Sequence, residues 1–430
     1  MGIINNIRHN KNAQTLLANF SYLSLIEVLG LLLPLVSYPY LIRVVGAEFY
    51  GIVIFAQAIV AYMVIVINFG FNVSATRRVS ENRDNKQKLR EIYSSVVYQK
   101  SAILALSLVV TVIFLNFTHF EYKFVVFGLF GLCLQEVLFP TWLYQGLEQM
   151  KFITIITFIS KCSYLGLIFL VISEKTDYVY IPLLYSFGGI LTSIASMMLL
   201  KYRFGITFVK VDFGRIKEDF FESLPFFASR LSAVVMERTN VLAIGAFFSY
   251  EMVAIYDLCT KVVSILKTPY SLVAQVVYPS VAKSKDLSLI RKILNPLVLS
   301  SIVLSIVVVI ISRYIIIALG GPALIDAVPI LQIMVWYVPI VALSYLFGAS
   351  VLVVAGYSRE YNLSVVYSVL FYLVLMGCLI IIKQVNLYTM TLTFIIPELV
   401  VTVYRIMISY KYKLLNIDQK YVINKSKNAL

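Results

Sequence analysis

Stretches of about 20 apolar residues, separated by short polar gaps, recur along the whole 430-residue chain. A helix of that length crosses the ~30 Å hydrocarbon core of a bilayer. The pattern predicts spans at roughly 17–41, 50–71, 96–117, 124–145, 152–172, 178–200, 224–248, 253–277, 293–318, 328–354, 362–382 and 387–410, twelve in all. Only the stretch 293–354 admits another division, around Gly320-Gly321-Pro322.

The basic residues orient these spans. With the N-terminus in the cytoplasm, alternate gaps hold 24 Lys and Arg on the inside, and the gaps between them hold five: Arg43, Lys123, Lys175, Arg313 and Lys383. Cytoplasmic loops carry the positive excess, so both termini are expected inside. Met1–Thr15 is polar and lacks a cleavage signature, so the first span reads as a retained anchor. No outside loop exceeds about ten residues on this reading, which leaves the spans themselves to do any chemistry or transport.

Composition excludes several classes. The chain is 60% hydrophobic and 13% charged, with a mean hydropathy of +0.88; soluble domains average about 25% charged residues. The net charge of +14 is accounted for by topology and by attraction to anionic headgroups, not by nucleic-acid binding. His9 and His119 have no neighbour at metal-ligand spacing, so no metal site is expected. Cys133, Cys162, Cys259 and Cys378 lie in apolar runs as packing residues. With no P-loop, no GxGxxG and no nucleophile elbow, neither an enzyme nor a bound cofactor is expected.

The longest inside gap, 201–223, divides the spans six and six. Residues 1–200 are expected to form an N-terminal six-helix lobe, 201–223 a solvated linker, 224–410 a C-terminal lobe and 411–430 a basic cytoplasmic tail. Span two exits through Asn72-Val73-Ser74-Ala75-Thr76-Arg77-Arg78, and span eight through Pro279-Ser280-Val281-Ala282-Lys283. The predicted fold is therefore an all-α integral membrane protein of twelve transmembrane helices in two six-helix repeats, with a cavity between them.

Eleven charges fall inside spans, where each costs about 2.5–3.5 kcal/mol unless paired, hydrated or snorkelling. Counted from the hairpin turns, Glu136 and Lys161 lie at one depth and are expected to pair. Glu237 matches Lys261, and Arg238 roughly matches Asp257, while Asp257 and Lys261 are also i,i+4 neighbours. Glu398 and Arg405, seven apart on one face, read as a structural pair. Arg230 and Lys267 match in depth with no acid in either span beside them: either both snorkel to headgroups or they form an anion site reached from the cytoplasm. Glu27 stands alone in a helix that also holds Pro34 and Pro39, as an ion-coupling residue or a hydrogen-bonded neutral acid. Arg43 is an interfacial anchor or a latch at the outer mouth.

The chain resembles the lipid-linked oligosaccharide flippases (O-antigen flippase, Wzx-type) of the multidrug/oligosaccharidyl-lipid/polysaccharide exporter superfamily, a MATE-like fold. The resemblance rests on Pro39-Tyr40-Leu41-Ile42-Arg43-Val44-Val45-Gly46-Ala47-Glu48-Phe49-Tyr50-Gly51, on Asn68-Phe69-Gly70-Phe71-Asn72 with Ser74-Ala75-Thr76-Arg77-Arg78, and on the run from Pro140-Thr141-Trp142 to Gln149-Met150-Lys151. It is weaker in the second half, at Tyr278-Pro279-Ser280. It implies movement of undecaprenyl-diphosphate-linked sugar repeats to the outer leaflet of a bacterial plasma (inner) membrane by alternating access. Membrane lipids, an O-antigen polymerase and a chain-length regulator are the implied partners. Family likeness assigns no site residues. Depth and charge nominate Arg230, Lys267, Arg238, Lys261, Lys161 and Arg43 for substrate and Glu27 for ion coupling. Two rivals stand beside this reading: a polymerase-type membrane enzyme, which needs a substantial outside loop, and a multidrug exporter, which favours an acid-lined cavity.

Overall fold

The computed structural model describes residues 11–284 and 286–414, and these are helical apart from short connections. All twelve predicted stretches fall on helical segments. The first half runs α1 (Lys11–Val45), α2 (Ala47–Asn68), α3 (Phe71–Glu81), α4 (Lys86–Phe117), α5 (Lys123–Gly128), α6 (Phe130–Leu138), α7 (Thr141–Gly146), α8 (Met150–Val171) and α9 (Tyr180–Leu199). The second runs α10 (Phe213–Phe247), α11 (Tyr250–Ser284), α12 (Ser288–Gly320), α13 (Ala327–Met334), α14 (Tyr337–Tyr345), α15 (Ser358–Ile381) and α16 (Leu387–Lys411). Gly320 closes α12, and Gly321 turns the chain with φ 77°, which settles the ambiguous division of 293–354.

Ten segments among the described residues are long and apolar enough to cross a membrane. The helices α10 and α11 fall outside that count although each has 35 residues, about 52 Å at 1.5 Å per residue. Both carry charges along their middles: Arg230, Glu237 and Arg238 on α10; Asp257, Lys261 and Lys267 on α11.

Burial follows the logic of a bilayer. Along α12, Ser301, Ser305 and Ser312 are buried while Val303, Ile306 and Ile310 face outward. Lipid tails are as apolar as these side chains, so small polar residues go to helix contacts, where they allow close approach and bond to carbonyls. Ser305 Oγ donates to the carbonyls of Ser301 (2.9 Å) and of Val335 on the facing chain (3.3 Å). The result is a multi-pass membrane protein whose large side chains project from it.

The chain forms two units, Met1–Val234 and Val235–Leu430. In the first, α6 packs on α9, α8 on α9 and α1, and α3 on α7. In the second, α16 packs on α15 and α14, and α11 on α13 and α14. Its core is tied by the fully buried Asn240 of α10. The Asn240 amide donates to Tyr256 Oη (2.8 Å) and the Met390 carbonyl (3.2 Å), and accepts from Tyr372 Oη (2.8 Å) and Thr393 Oγ1 (3.1 Å). One amide thus links α10, α11, α15 and α16 with all four of its bonds made.

The stretch 201–223, expected to be a solvated connector, is helical from Phe213 and buries Asp219 and Ser223. Its first turns pack on a break between α2 and α3. Phe69 and Gly70 both adopt left-handed backbone, with φ 46° and 79°. Phe69 stacks between Phe220 (4.3 Å) and Phe227 (4.7 Å). A Cβ on Gly70 would sit 2.5 Å from the Ser223 carbonyl oxygen. Gly70→Ala is therefore expected to destabilise the protein by more than the ~1–2 kcal/mol of left-handed strain alone. Thermal unfolding beside Gly166→Ala, whose Cβ meets nothing within 4 Å, checks this; equal melting temperatures would refute the close approach.

Candidate functional site

Discontinuous membrane helices gather polar groups at their breaks, because carbonyls freed from the helix ladder need partners. Two breaks meet in the first unit. The span predicted at 124–145 is not one helix but three short ones, and Pro140 follows α6. Having no N–H, Pro140 leaves the Glu136 carbonyl without its i+4 donor. Lys100 of α4 supplies one: its ammonium lies 3.1 Å from that carbonyl and 2.7 Å from Glu136 Oε1. Asn68, the last residue of α2 before the Phe69–Gly70 break, donates to the same Oε1 at 2.7 Å. Lys100 is 1% exposed, whereas the Glu136 side chain retains 21%.

This corrects the expected Glu136–Lys161 pair. Depth counted from a hairpin gives a level in the membrane but not which side of the helix faces which neighbour, and the breaks in 124–145 shift the count. Lys161, on α8, makes no ion pair among the described residues; its ammonium lies 3.3 Å from where a Cβ on Gly30 of α1 would stand.

Next to this junction, the Arg78 guanidinium of α3 bonds Asp219 of α10, with side chains 8% and 4% exposed. Asp219 Oδ2 also accepts from Ser95 Oγ at 2.6 Å, and Ser74 and Ser223 hydroxyls meet at 2.6 Å. Arg77 pairs with Glu222 beside them. The run 68–78 that carries part of the family resemblance thus supplies both Asn68 and Arg78.

The six nominated cations divide between the units: Arg43, Lys161 and Arg230 in the first, Arg238, Lys261 and Lys267 in the second. Arg43 and Arg230 are exposed and Arg238 is half-buried. Arg230 and Arg238 make no ion pair or hydrogen bond among the described residues. Lys261 pairs with Asp257 one turn away, one of the alternatives the sequence left open, whereas the depth match of Arg238 with Asp257 forms no ion pair among the described residues. The Lys267 ammonium sits over the Tyr337 ring, 5.7 Å from its centroid. Glu27 lies on α1, but its side chain is outside the described residues, as are Arg8, Lys285 and the tail beyond residue 414.

Arg405 does not pair with Glu398 among the described residues. Its Nε bonds Ser364 Oγ (3.0 Å), its Nη1 bonds the Ser344 hydroxyl (2.7 Å) and carbonyl (3.1 Å), and the guanidinium lies 4.8 Å from the Tyr361 ring centroid. It rests on the π-helical turn Leu346–Val353, where a Cβ on Gly348 would meet Nη1 at 3.0 Å. The guanidinium turns instead to serines on neighbouring helices. No cluster of three His, Cys, Asp or Glu that could hold a metal occurs among the described residues.

Sequence reasoning missed Lys100, Arg78 and Asp219 as buried partners. One signal was available: Pro140 four residues after Glu136 marks a carbonyl in need of a donor. Nothing in the sequence marked Asp219, whose neighbours Lys217, Glu218 and Glu222 read as a solvated charge run.

Known proteins resemble the chain in both sequence and fold. A protein of Escherichia coli (strain K12) named "Putative O-antigen transporter" is 25% identical over 366 residues, 82% of this chain and 87% of that protein. A Shigella dysenteriae protein of the same name is 25% identical over 62% of this chain and 67% of its own length. In fold, the chain superposes on an outward-facing multidrug resistance MATE family transporter of the MOP superfamily. The TM-score is 0.55, over 96% of this chain and 94% of that one, at 13% identity. The family described as "Polysaccharide biosynthesis protein" matches residues 16–285, the region that holds both helix breaks and the Lys100–Glu136 and Arg78–Asp219 pairs. The chain belongs to that polysaccharide biosynthesis protein family.

Proposed function

We propose that the protein flips undecaprenyl-diphosphate-linked O-antigen repeat units from the cytoplasmic to the periplasmic leaflet of the bacterial inner membrane. The observation that carries this reading is the likeness to the E. coli protein over most of both chains. On this reading α10 and α11 join the ten apolar segments to give twelve spans in two six-span repeats, with both termini cytoplasmic. Alternating access between two lobes moves the headgroup while the polyprenyl tail stays in lipid. A diphosphate-sugar cannot cross hydrocarbon alone, and it needs a hydrated, cationic path. Arg230 and Lys267 engage the diphosphate, with Arg238, Lys261, Lys161 and Arg43 along the path and Glu27 as the coupling residue. An O-antigen polymerase and a chain-length regulator act on the product.

Leaflet placement of radiolabelled polyprenyl-diphosphate repeats tests this in cells deleted for the gene, using an impermeant probe. Repeats should accumulate on the cytoplasmic side and return outside on complementation. Repeats that reach the outer leaflet without the protein, yet stay unpolymerised, would replace transport by polymerisation.

A further inference from the structure

The helix α9 has two distinct faces. On one, Ser186, Gly189, Ser193 and Ser196 are buried, and the Ser186 hydroxyl accepts from the Gly131 amide of α6 at 3.0 Å. On the other, Leu183, Phe187, Ile190, Ile194 and Met198 are exposed, at spacings of three and four residues that hold them in one stripe. An exposed stripe of large apolar side chains along a membrane helix faces acyl chains. The stripe runs into the π-helical turn Leu200–Phe204, which carries Lys201, the 78% exposed Tyr202, and Arg203. Apolar, then aromatic, then cationic is the order of a lipid from its tail to its phosphate, with tyrosine at the headgroup boundary.

The neighbouring helix adds charge at the same level. The helix α8 packs on α9 and starts at Met150, so Lys151 stands at the membrane surface where α9 ends. The Lys151 ammonium and the Arg203 guanidinium each lie 5.1 Å from the centroid of the Phe152 ring. Phe204 packs edge-on against that ring at 5.7 Å. Neither cation makes an ion pair among the described residues, and neither does Lys201. Glu148 is the only acid in 140–152 and 199–210, and it pairs with Arg83 at 2.8 Å. The Gly205 carbonyl, at the end of the π turn, accepts from both Nε (2.9 Å) and Nη2 (2.8 Å) of Arg90. That acid and that carbonyl are therefore engaged elsewhere, and two like charges share one ring without an anion. An anion placed at both relieves their repulsion.

We propose that Lys151 and Arg203, with Lys201 beside them, bind the phosphate of an anionic glycerophospholipid whose acyl chain lies along Met198, Ile194 and Ile190. The chain gains little over bulk lipid, because the stripe and its surroundings are equally apolar. Selectivity comes from charge: phosphatidylethanolamine carries an ammonium that these cations repel, and phosphatidylglycerol does not. The inference requires that α8 and α9 cross a membrane and is independent of what the protein transports.

The test titrates the purified full-length protein in detergent with phosphatidylglycerol or phosphatidylethanolamine of identical acyl chains, and counts bound lipid by native mass spectrometry. The first phosphatidylglycerol should bind at least about fivefold more tightly than the first phosphatidylethanolamine, the scale of one basic residue near an anionic headgroup. Lys151→Gln with Arg203→Gln should weaken phosphatidylglycerol by about tenfold to thirtyfold. Removing the same charge elsewhere, with Arg313→Gln and Lys383→Gln, should change it by less than about twofold, since both are exposed outside this corner. The exchange Lys151→Arg with Arg203→Lys should keep the preference, which separates charge from packing. Equal binding of the two lipids, or a glutamine pair no different from the distant pair, would overturn the site. A loss in the charge-conserving exchange as large as in the glutamine variant would reduce both residues to packing. Farnesyl diphosphate that displaces phosphatidylglycerol at far lower concentration than phosphatidylglycerol itself would overturn the phospholipid and assign the corner to a prenyl diphosphate.

Discussion

Asp219→Ala should unfold in detergent at a markedly lower temperature than the wild-type protein, with a loss of about 3–5 kcal/mol, the scale for stranding one member of a buried ion pair. Arg78 is 7% exposed, and its Nη1 spends its one close contact on Asp219. Its Nε and Nη2 already lack hydrogen-bond partners, and Glu222 stands 3.8 Å from Nε. Removing Asp219 leaves a guanidinium in a pocket of low dielectric and also deprives Ser95 of its acceptor. The double change Arg78→Met with Asp219→Leu should recover much of the loss, because a buried pair replaced by apolar groups costs far less than a broken one. A single variant within 1 kcal/mol of wild type, or a double variant worse than the single, would show that the pair does not hold α10 to α3.

The second large effect concerns transport. Changing Arg230 and Lys267 together to glutamine is expected to abolish export while leaving the amount of protein normal. Hydrogen bonds to charged groups contribute about 1.5–3 kcal/mol each. On the proposed function, the loss of two contacts to a diphosphate weakens binding by about 10²–10⁴-fold. Folding should tolerate the change: Arg230 is exposed, and Lys267 loses only its place over Tyr337, a cation–π contact of about 0.5–2 kcal/mol. The charge-conserving exchange Arg230→Lys with Lys267→Arg should retain export. Export that persists in the glutamine variant, scored by leaflet accessibility of the labelled repeat, removes both residues from the site. Alongside it, Glu27→Gln should slow export if Glu27 couples ion movement, and equal rates would strike it from the role.

The charge pairings divide according to the information they need. Asp257–Lys261 was legible because four residues on one helix set both level and direction. Glu136–Lys161 was not, because matching two helices by depth leaves rotation free, and Lys100 on a third helix was the partner. Arg405 shows the same limit. Seven residues put Glu398 on its face, but spacing along one helix says nothing of the neighbouring helices, and it is their Ser344 and Ser364 that Arg405 bonds.

The sequence by itself determined that this is an all-helical membrane chain and where its helices run. Apolar stretches of bilayer length cannot stay in water, and a backbone in hydrocarbon must satisfy its own hydrogen bonds, so composition and period are enough. The motifs that carried the family resemblance were equally readable as strings. Tertiary structure alone decided which helices break, which charges meet, and that Asp219 of an apparently solvated linker is buried against Arg78. Those outcomes depend on the rotation of each helix about its axis and on contacts between residues as far apart as 78 and 219. Hydropathy averages over rotation and sees only neighbours in the chain.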